Sequence, residues 1–254
     1  MTTLLAVERI KLFTTRSPWW CSVIALAVTI GFGALFVNTG PTQSAVTVAG
    51  TQLGYTFGLV VVMVMAALAV TTEYRFGTIR ATFQAIPNRG AVLLAKTALV
   101  ALLAAGIGEL AAFGSWGAAT LLKPATDLTI NTAFEWRAVA GTGLIYALAA
   151  VVAVCVGVLI RQSAGAISVV LIYTQLVEPL VQMVPNVGSK IHQWLPFNVA
   201  HQFLTGNPDV VVRQVDGPGP SDATIGPWWA LAYFTAFAAV LLIAALVTAR
   251  NRDA

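Results

Sequence analysis

The sequence predicts an all-α membrane protein with six transmembrane helices, and three observations carry that expectation. Charge is scarce: 9% of the 254 residues are Asp, Glu, Lys or Arg, against 58% hydrophobic, and the mean hydropathy is +0.82. Ten acids and fourteen bases cannot coat a soluble globule of this length. The apolar residues gather into six runs, roughly 19–37, 53–70, 91–122, 136–160, 164–184 and 228–249. Each is close to the ~20 helical residues that cross about 30 Å of hydrocarbon. None alternates with the period of a membrane-barrel strand, and a segment in lipid must satisfy its own backbone groups, so helices are the expected form.

Taken in order, residues 1–17 precede the first span and are too short and too charged to cross. Ala6, Val7, Ile10 and Phe13 can share one helical face, with Glu8, Lys11 and Thr15 on another. That pattern fits an interfacial helix on the membrane surface, and equally a charged anchor for span one. The first run is too long for the apolar core of a cleaved signal and lacks a small-residue cleavage site, so it is expected to persist. Between spans two and three lies TEYRFGTIRATFQAIPNRG. Gly77 permits a sharp change of direction, and Phe76, Ile79, Phe83 and Ile86 recur at three- and four-residue steps. Pro87 to Gly90 then turn the chain back. A short helix over 77–86, apolar on one side, is predicted across the mouth of spans two and three. It can lie flat on lipid or meet a cytoplasmic partner.

Glycines at 106, 108, 114 and 117 in span three, and at 141 and 143 in span four, permit close helix contact. Span three carries a lone acid, Glu109. Span five carries Ser168, Gln175, Glu178 and Gln182, whose steps of seven, three and four predict one polar stripe. An ionisable group inside a span faces a cavity or the bundle interior, so the stripe marks a translocation path or a helix–helix interface. The segment 185–226 begins with amphipathic stretches containing Trp194, Leu195, Phe197 and Phe203, expected as short helices returning toward the outer leaflet. It ends in the coil Asp216-Gly217-Pro218-Gly219-Pro220. The whole chain, 1–254, reads as one membrane domain without internal repeats.

Lys and Arg set the orientation. With the N-terminus inside, ten of them (Arg9, Lys11, Arg16, Arg75, Arg80, Arg89, Lys96, Arg161, Arg250, Arg252) fall on the inner side. Four (Lys123, Arg137, Lys190, Arg213) fall outside. Trp19 and Trp20 sit at the inner interface, and Trp116, Trp136, Trp228 and Trp229 near the outer one. The net charge of +4 is thus mostly topology, not a nucleic-acid footprint. Cys21 and Cys155 lie in spans and are expected to be reduced.

Several chemistries are excluded. A nucleotide-binding loop needs GxxxxGK[ST], which does not occur; Gly188-Ser189-Lys190 lacks the order. The chain is therefore not expected to be an enzyme or to hydrolyse ATP by itself. His192 and His201 both fall in the 185–226 segment, leaving no span histidine for metal or haem. No metal or cofactor is expected in this chain.

ERIKLFTTRSPWW before span one, EYRFGTIRATFQAIPNRGAVLLAK between spans two and three, and WLPFNVAHQFLTG before span six resemble the membrane subunits of type-2 ABC exporters, in actinobacterial style. The six-span layout resembles that family along essentially the whole chain. The resemblance implies a permease in a bacterial cytoplasmic membrane, both termini inside. It would pair with a second permease copy or paralogue and with a cytoplasmic ABC ATPase that binds ATP and Mg. It also implies that 77–86 is the coupling helix. Phe76, Gly77, Ile79, Phe83 and Ile86 would then form its docking face, flanked by Glu73, Arg75 and Arg80. The cargo expected from such apolar spans is amphipathic, lipidic or drug-like. A non-transporting membrane binding, immunity or sensor component, or an ATP-independent secondary transporter, remain the alternatives.

Overall fold

A computed structural model describes residues 2–39, 46–86, 88–206 and 221–252. Pro87 and the coil at Asp216–Pro220 lie outside the described residues. Regular structure among the described residues is helical. In chain order the helices are α1 (Thr2–Thr14), α2 (Arg16–Thr39), α3 (Tyr55–Arg75), α4 (Thr78–Ala85), α5 (Arg89–Leu122) and α6 (Ala133–Ile160). They are followed by α7 (Ser163–Ile172), α8 (Glu178–Gln182), α9 (Gly188–His192), α10 (Pro196–Thr205) and α11 (Pro227–Arg252). Six segments are long and apolar enough to cross a membrane: α2, α3 with a preceding 3-10 turn, α5, α6, the stretch Ser163–Gln182, and α11. The chain is thus a multi-pass, all-helical membrane protein.

The ends of these helices follow local chemistry. Asn88 opens α5, its side chain accepting from Ala91 N at 3.1 Å. Thr132 and Glu135 form a reciprocal capping box at the start of α6. α6 stops at Arg161, which takes a left-handed conformation at φ 62 and lays its guanidinium 5.3 Å from the Tyr74 ring centroid. The fifth span is not one regular helix. A π-helical turn, Tyr173–Val177, separates α7 from α8.

α3, α5 and α6 make the centre, with half or more of each apolar window buried; α2, the fifth span and α11 form the perimeter. α5 and α6 pack closely enough that a Cβ on Gly108 would lie 2.8 Å from Tyr146 Cγ and 2.9 Å from Gly143 Cα. That approach is what small residues at a helix crossing allow. Glu109, next to Gly108, lies over Gly143 in the same crossing. The Tyr146 ring is fully buried, and its hydroxyl donates to the Tyr55 carbonyl at 2.6 Å, so no polar atom of the ring is stranded.

α3 runs the length of the bundle. Its start, at Tyr55, meets α10; its end, at Glu73, meets α1 and α5. These two ends are called here the far end and the near end.

Candidate functional site

The near end is built on four charges. Lys96 of α5 places Nζ 2.5 Å from Glu8 Oε2 and 2.8 Å from Glu73 Oε1. Lys11 pairs with the other Glu8 oxygen at 3.0 Å and lies 3.6 Å from Glu73. Lys96 and Glu8 are buried, Glu73 nearly so, and Lys11 is one-third exposed. Two acids and two bases balance, as a buried ionic group must. The cluster joins three elements distant in sequence: α1, the end of α3 and the first turns of α5.

It also reaches α4. Lys11 Nζ donates to Thr82 Oγ1 at 3.0 Å, in the middle of that helix. α4 hangs from Gly77, whose φ of 70 is the left-handed conformation a residue without Cβ adopts at no steric cost. A crevice of about 420 Å³ opens beside the cluster.

The predicted single apolar face of this segment is not what the structure holds. Phe76 lies before the Gly77 turn and outside α4, 71% exposed, whereas Ile79 is 7% exposed and packed inward. The left-handed residue between them breaks the helical period that linked them in the sequence. Phe83 is half-buried, with Arg89 5.6 Å over its ring, and Ile86 is already extended at φ −130. The outward side of α4 carries Thr78, Ala81, Gln84 and Ala85, with Arg75 and Phe76 exposed just ahead of it. The side chain of Arg80 is outside the described set. Glu73 does not flank α4 as an outward charge; it belongs to the buried cluster.

The sequence places Val7, Ile10 and Phe13 of α1 on one face and Glu8 and Lys11 on another, as the structure does. Glu8 and Lys11 turn into the protein, while Val7, Ile10 and Phe13 point outward. The charged face of α1 is thus a protein contact.

At the far end, a cavity of about 640 Å³ lies between α3 and the elements α8 and α10. The structure brings Gln175, Glu178 and Gln182 to it, but not Ser168, which is exposed lower on α7. The π turn accounts for this. It inserts an extra residue between Ser168 and Glu178, so the stripe drawn at 3.6 residues per turn is broken. Gln175 and Gln182 are exposed and Glu178 is 4% exposed.

Glu178 has a defined task. Its two oxygens accept from Phe197 N at 3.1 Å and Asn198 N at 2.9 Å, in the first turn of α10. At the other end of α10, Arg137 of α6 donates from Nε to the Phe203 carbonyl at 2.6 Å and from Nη2 to the Gly206 carbonyl. A carboxylate at the helix N-terminus and a guanidinium at its C-terminus both satisfy orphan backbone groups and match the helix dipole. α10 is therefore a strut fixed at one end to span five and at the other to span four. Around it, His201 Nδ1 bonds the Tyr55 hydroxyl, and Asp222 accepts from Gln182 Nε2 at 2.7 Å and contacts His192 Nδ1 at 3.1 Å.

Sequence reasoning missed Glu8, Lys11 and Lys96 as a set, and Arg137, His192 and His201 as parts of the far end. No protein-family model matches the chain, and no curated protein is significantly similar to it.

Proposed function

We propose that this chain is the permease subunit of an ATP-driven exporter in a bacterial cytoplasmic membrane, paired with a second permease and with a separate cytoplasmic ATPase. The observation that carries this reading is α4. A short helix is hung on a left-handed glycine between two spans and tied through Thr82 to a buried charge cluster. Its outward side and Phe76 are left uncovered. A mere hairpin between spans needs none of this, whereas a helix that receives force from a soluble partner needs a rigid mount. The near end is then cytoplasmic, in agreement with the Lys and Arg distribution. The far-end cavity, with Gln175, Glu178 and Gln182, belongs to the translocation path or the permease pair interface.

Purified alone, the chain should hydrolyse no ATP. Recovered in mild detergent from its host's membranes, it should carry a protein with a phosphate-binding loop, seen by mass spectrometry. ATP hydrolysis by a preparation with no second protein would refute the reading.

The orientation is tested separately. Single cysteines placed at Asn88 and Ile130, in a chain lacking Cys21 and Cys155, should label from opposite faces, Asn88 from the inside. Labelling of Asn88 by an impermeant reagent added outside intact cells contradicts the topology.

A further inference from the structure

We infer that the far-end cavity binds a membrane amphiphile with an uncharged, hydrogen-bonding head and a single apolar chain. That the amphiphile is cargo rests on the permease reading; that it binds does not.

Three features of the cavity define the ligand. The first is graded polarity. At one level the wall carries Thr56, Gln182 and His192; descending α3 from Tyr55 to Met63, about 12 Å at ~1.5 Å per residue, the α3 side becomes apolar with Leu59, Val60 and Met63, while the facing fifth span still offers Thr174 and Gln175. The polar level coincides with the ends of two spans and the apolar level with their interior. An amphiphile already oriented in a bilayer meets the same order of surroundings, head at the interface and chain below it.

The second is the charge state of the wall. Each titratable group lining the cavity is already engaged: Glu178 by two backbone N–H groups, His192 by Asp222, and Tyr55 and His201 by one another. No Lys or Arg lines the cavity to pair with an anionic head, and the one carboxylate in the lining, Glu178, is 4% exposed with both oxygens turned to backbone N–H groups, so a cationic head gains no direct ion pair there; burying an unpaired ion is costly. The amides of Gln175 and Gln182 can both donate and accept, which suits hydroxyl or amide groups.

The third is access. Phe32, on the perimeter helix α2, and Phe57, near the start of α3, stack at 4.4 Å, line the cavity and are each about two-fifths exposed. The cavity therefore reaches the side of the protein that faces lipid, and a ligand can enter from the bilayer without crossing water. The volume of about 640 Å³ lies within the range of small-molecule sites.

The test uses the full chain in phosphatidylcholine nanodiscs and three photoreactive probes with the same diazirine-bearing chain. Their heads are glycerol (a monoacylglycerol), a free carboxylate and a trimethylammonium. The monoacylglycerol should label peptides from α3 around Phe57–Met63 and from the fifth span, at least about tenfold above the charged probes, and unlabelled monoacylglycerol should compete. Val60→Trp, which fills the apolar part, should abolish that labelling. Should Val60→Trp not fold, Gln175→Leu with Gln182→Leu changes only exposed side chains and should erase the preference over the charged probes. Labelling no stronger than at the outward-facing Leu102 and Val240, or equal labelling by all three heads, overturns the proposal. Failure here with the ATPase still co-purifying removes the ligand and leaves the permease reading. Selective labelling with no ATPase partner does the reverse.

Discussion

Lys96→Met should be among the most damaging single substitutions in this chain, with a loss of about 3–5 kcal/mol of stability, the usual cost of breaking a buried ion pair from one side. Lys96 Nζ stands between the Glu8 and Glu73 carboxylates, at 2.5 and 2.8 Å, and is 7% exposed. Without it, two acids remain in a buried site with only Lys11, itself one-third exposed, to balance them. The loss should appear as a lower melting temperature in detergent or nanodiscs and as release of α1 from the bundle. Adding Glu8→Gln to Lys96→Met should recover part of it, because Lys11 then balances the one remaining acid, Glu73. Lys11→Met should cost much less, since a partly exposed pair is screened by solvent. A Lys96→Met protein as stable as wild type would mean that the cluster does not hold the near end together.

Glu178→Leu should cost about 1–3 kcal/mol for each of the two backbone N–H groups it strands, the general penalty for an unsatisfied buried donor. Those groups, Phe197 N and Asn198 N, lie in the first turn of α10, and Leu has no acceptor to offer. Glu178→Gln should cost less, because the amide oxygen can still accept from one of them. Hydrogen exchange is the sharper measurement. Protection should fall across α10 in Glu178→Leu while the core helices α3, α5 and α6 keep theirs. Arg137→Met should loosen the same helix from its other end, through the freed carbonyls of Phe203 and Gly206. Unchanged protection of α10 in both variants would show that the strut is held by apolar packing alone.

Much of the fold was legible in the sequence, because a bilayer admits few solutions. A helix of about 20 apolar residues is nearly forced once the composition excludes a soluble surface. The six spans accordingly start and stop within a few residues of where hydropathy placed them, α5 at Arg89 against 91 and α6 at Ala133 against 136. Contacts between distant residues were not legible. Lys96 read as one more topological charge, and Glu8 as part of the polar face of a surface helix. Nothing in either segment reveals that they meet across 88 residues. Periodicity also failed wherever the backbone left the 3.6-residue helix. Gly77 separated Phe76 from Ile79, and the π turn at Tyr173–Val177 separated Ser168 from Glu178. Both departures occur beside the candidate sites. The glycine was visible as a turn residue, but its effect on the apolar face was not; the π turn has a local signal in Pro179, which lacks the N–H that the Gln175 carbonyl would take in a regular helix, and periodicity alone does not register it.

Phe76 and the outward side of α4 are proposed to receive a soluble ATPase. The most direct measurement is affinity purification of Phe76→Asp from host membranes in mild detergent, beside wild type and Phe76→Leu. Phe76 is 71% exposed, so the substitution leaves the fold intact. At a docked interface it would bury an unpaired carboxylate where an aromatic anchor belongs. Wild type and Phe76→Leu should retain the ATPase, while Phe76→Asp should elute as a folded, monodisperse protein with at least about tenfold less, the equivalent of ~1.4 kcal/mol. Phe76→Asp retaining the ATPase at wild-type yield, or wild type retaining none, would contradict it.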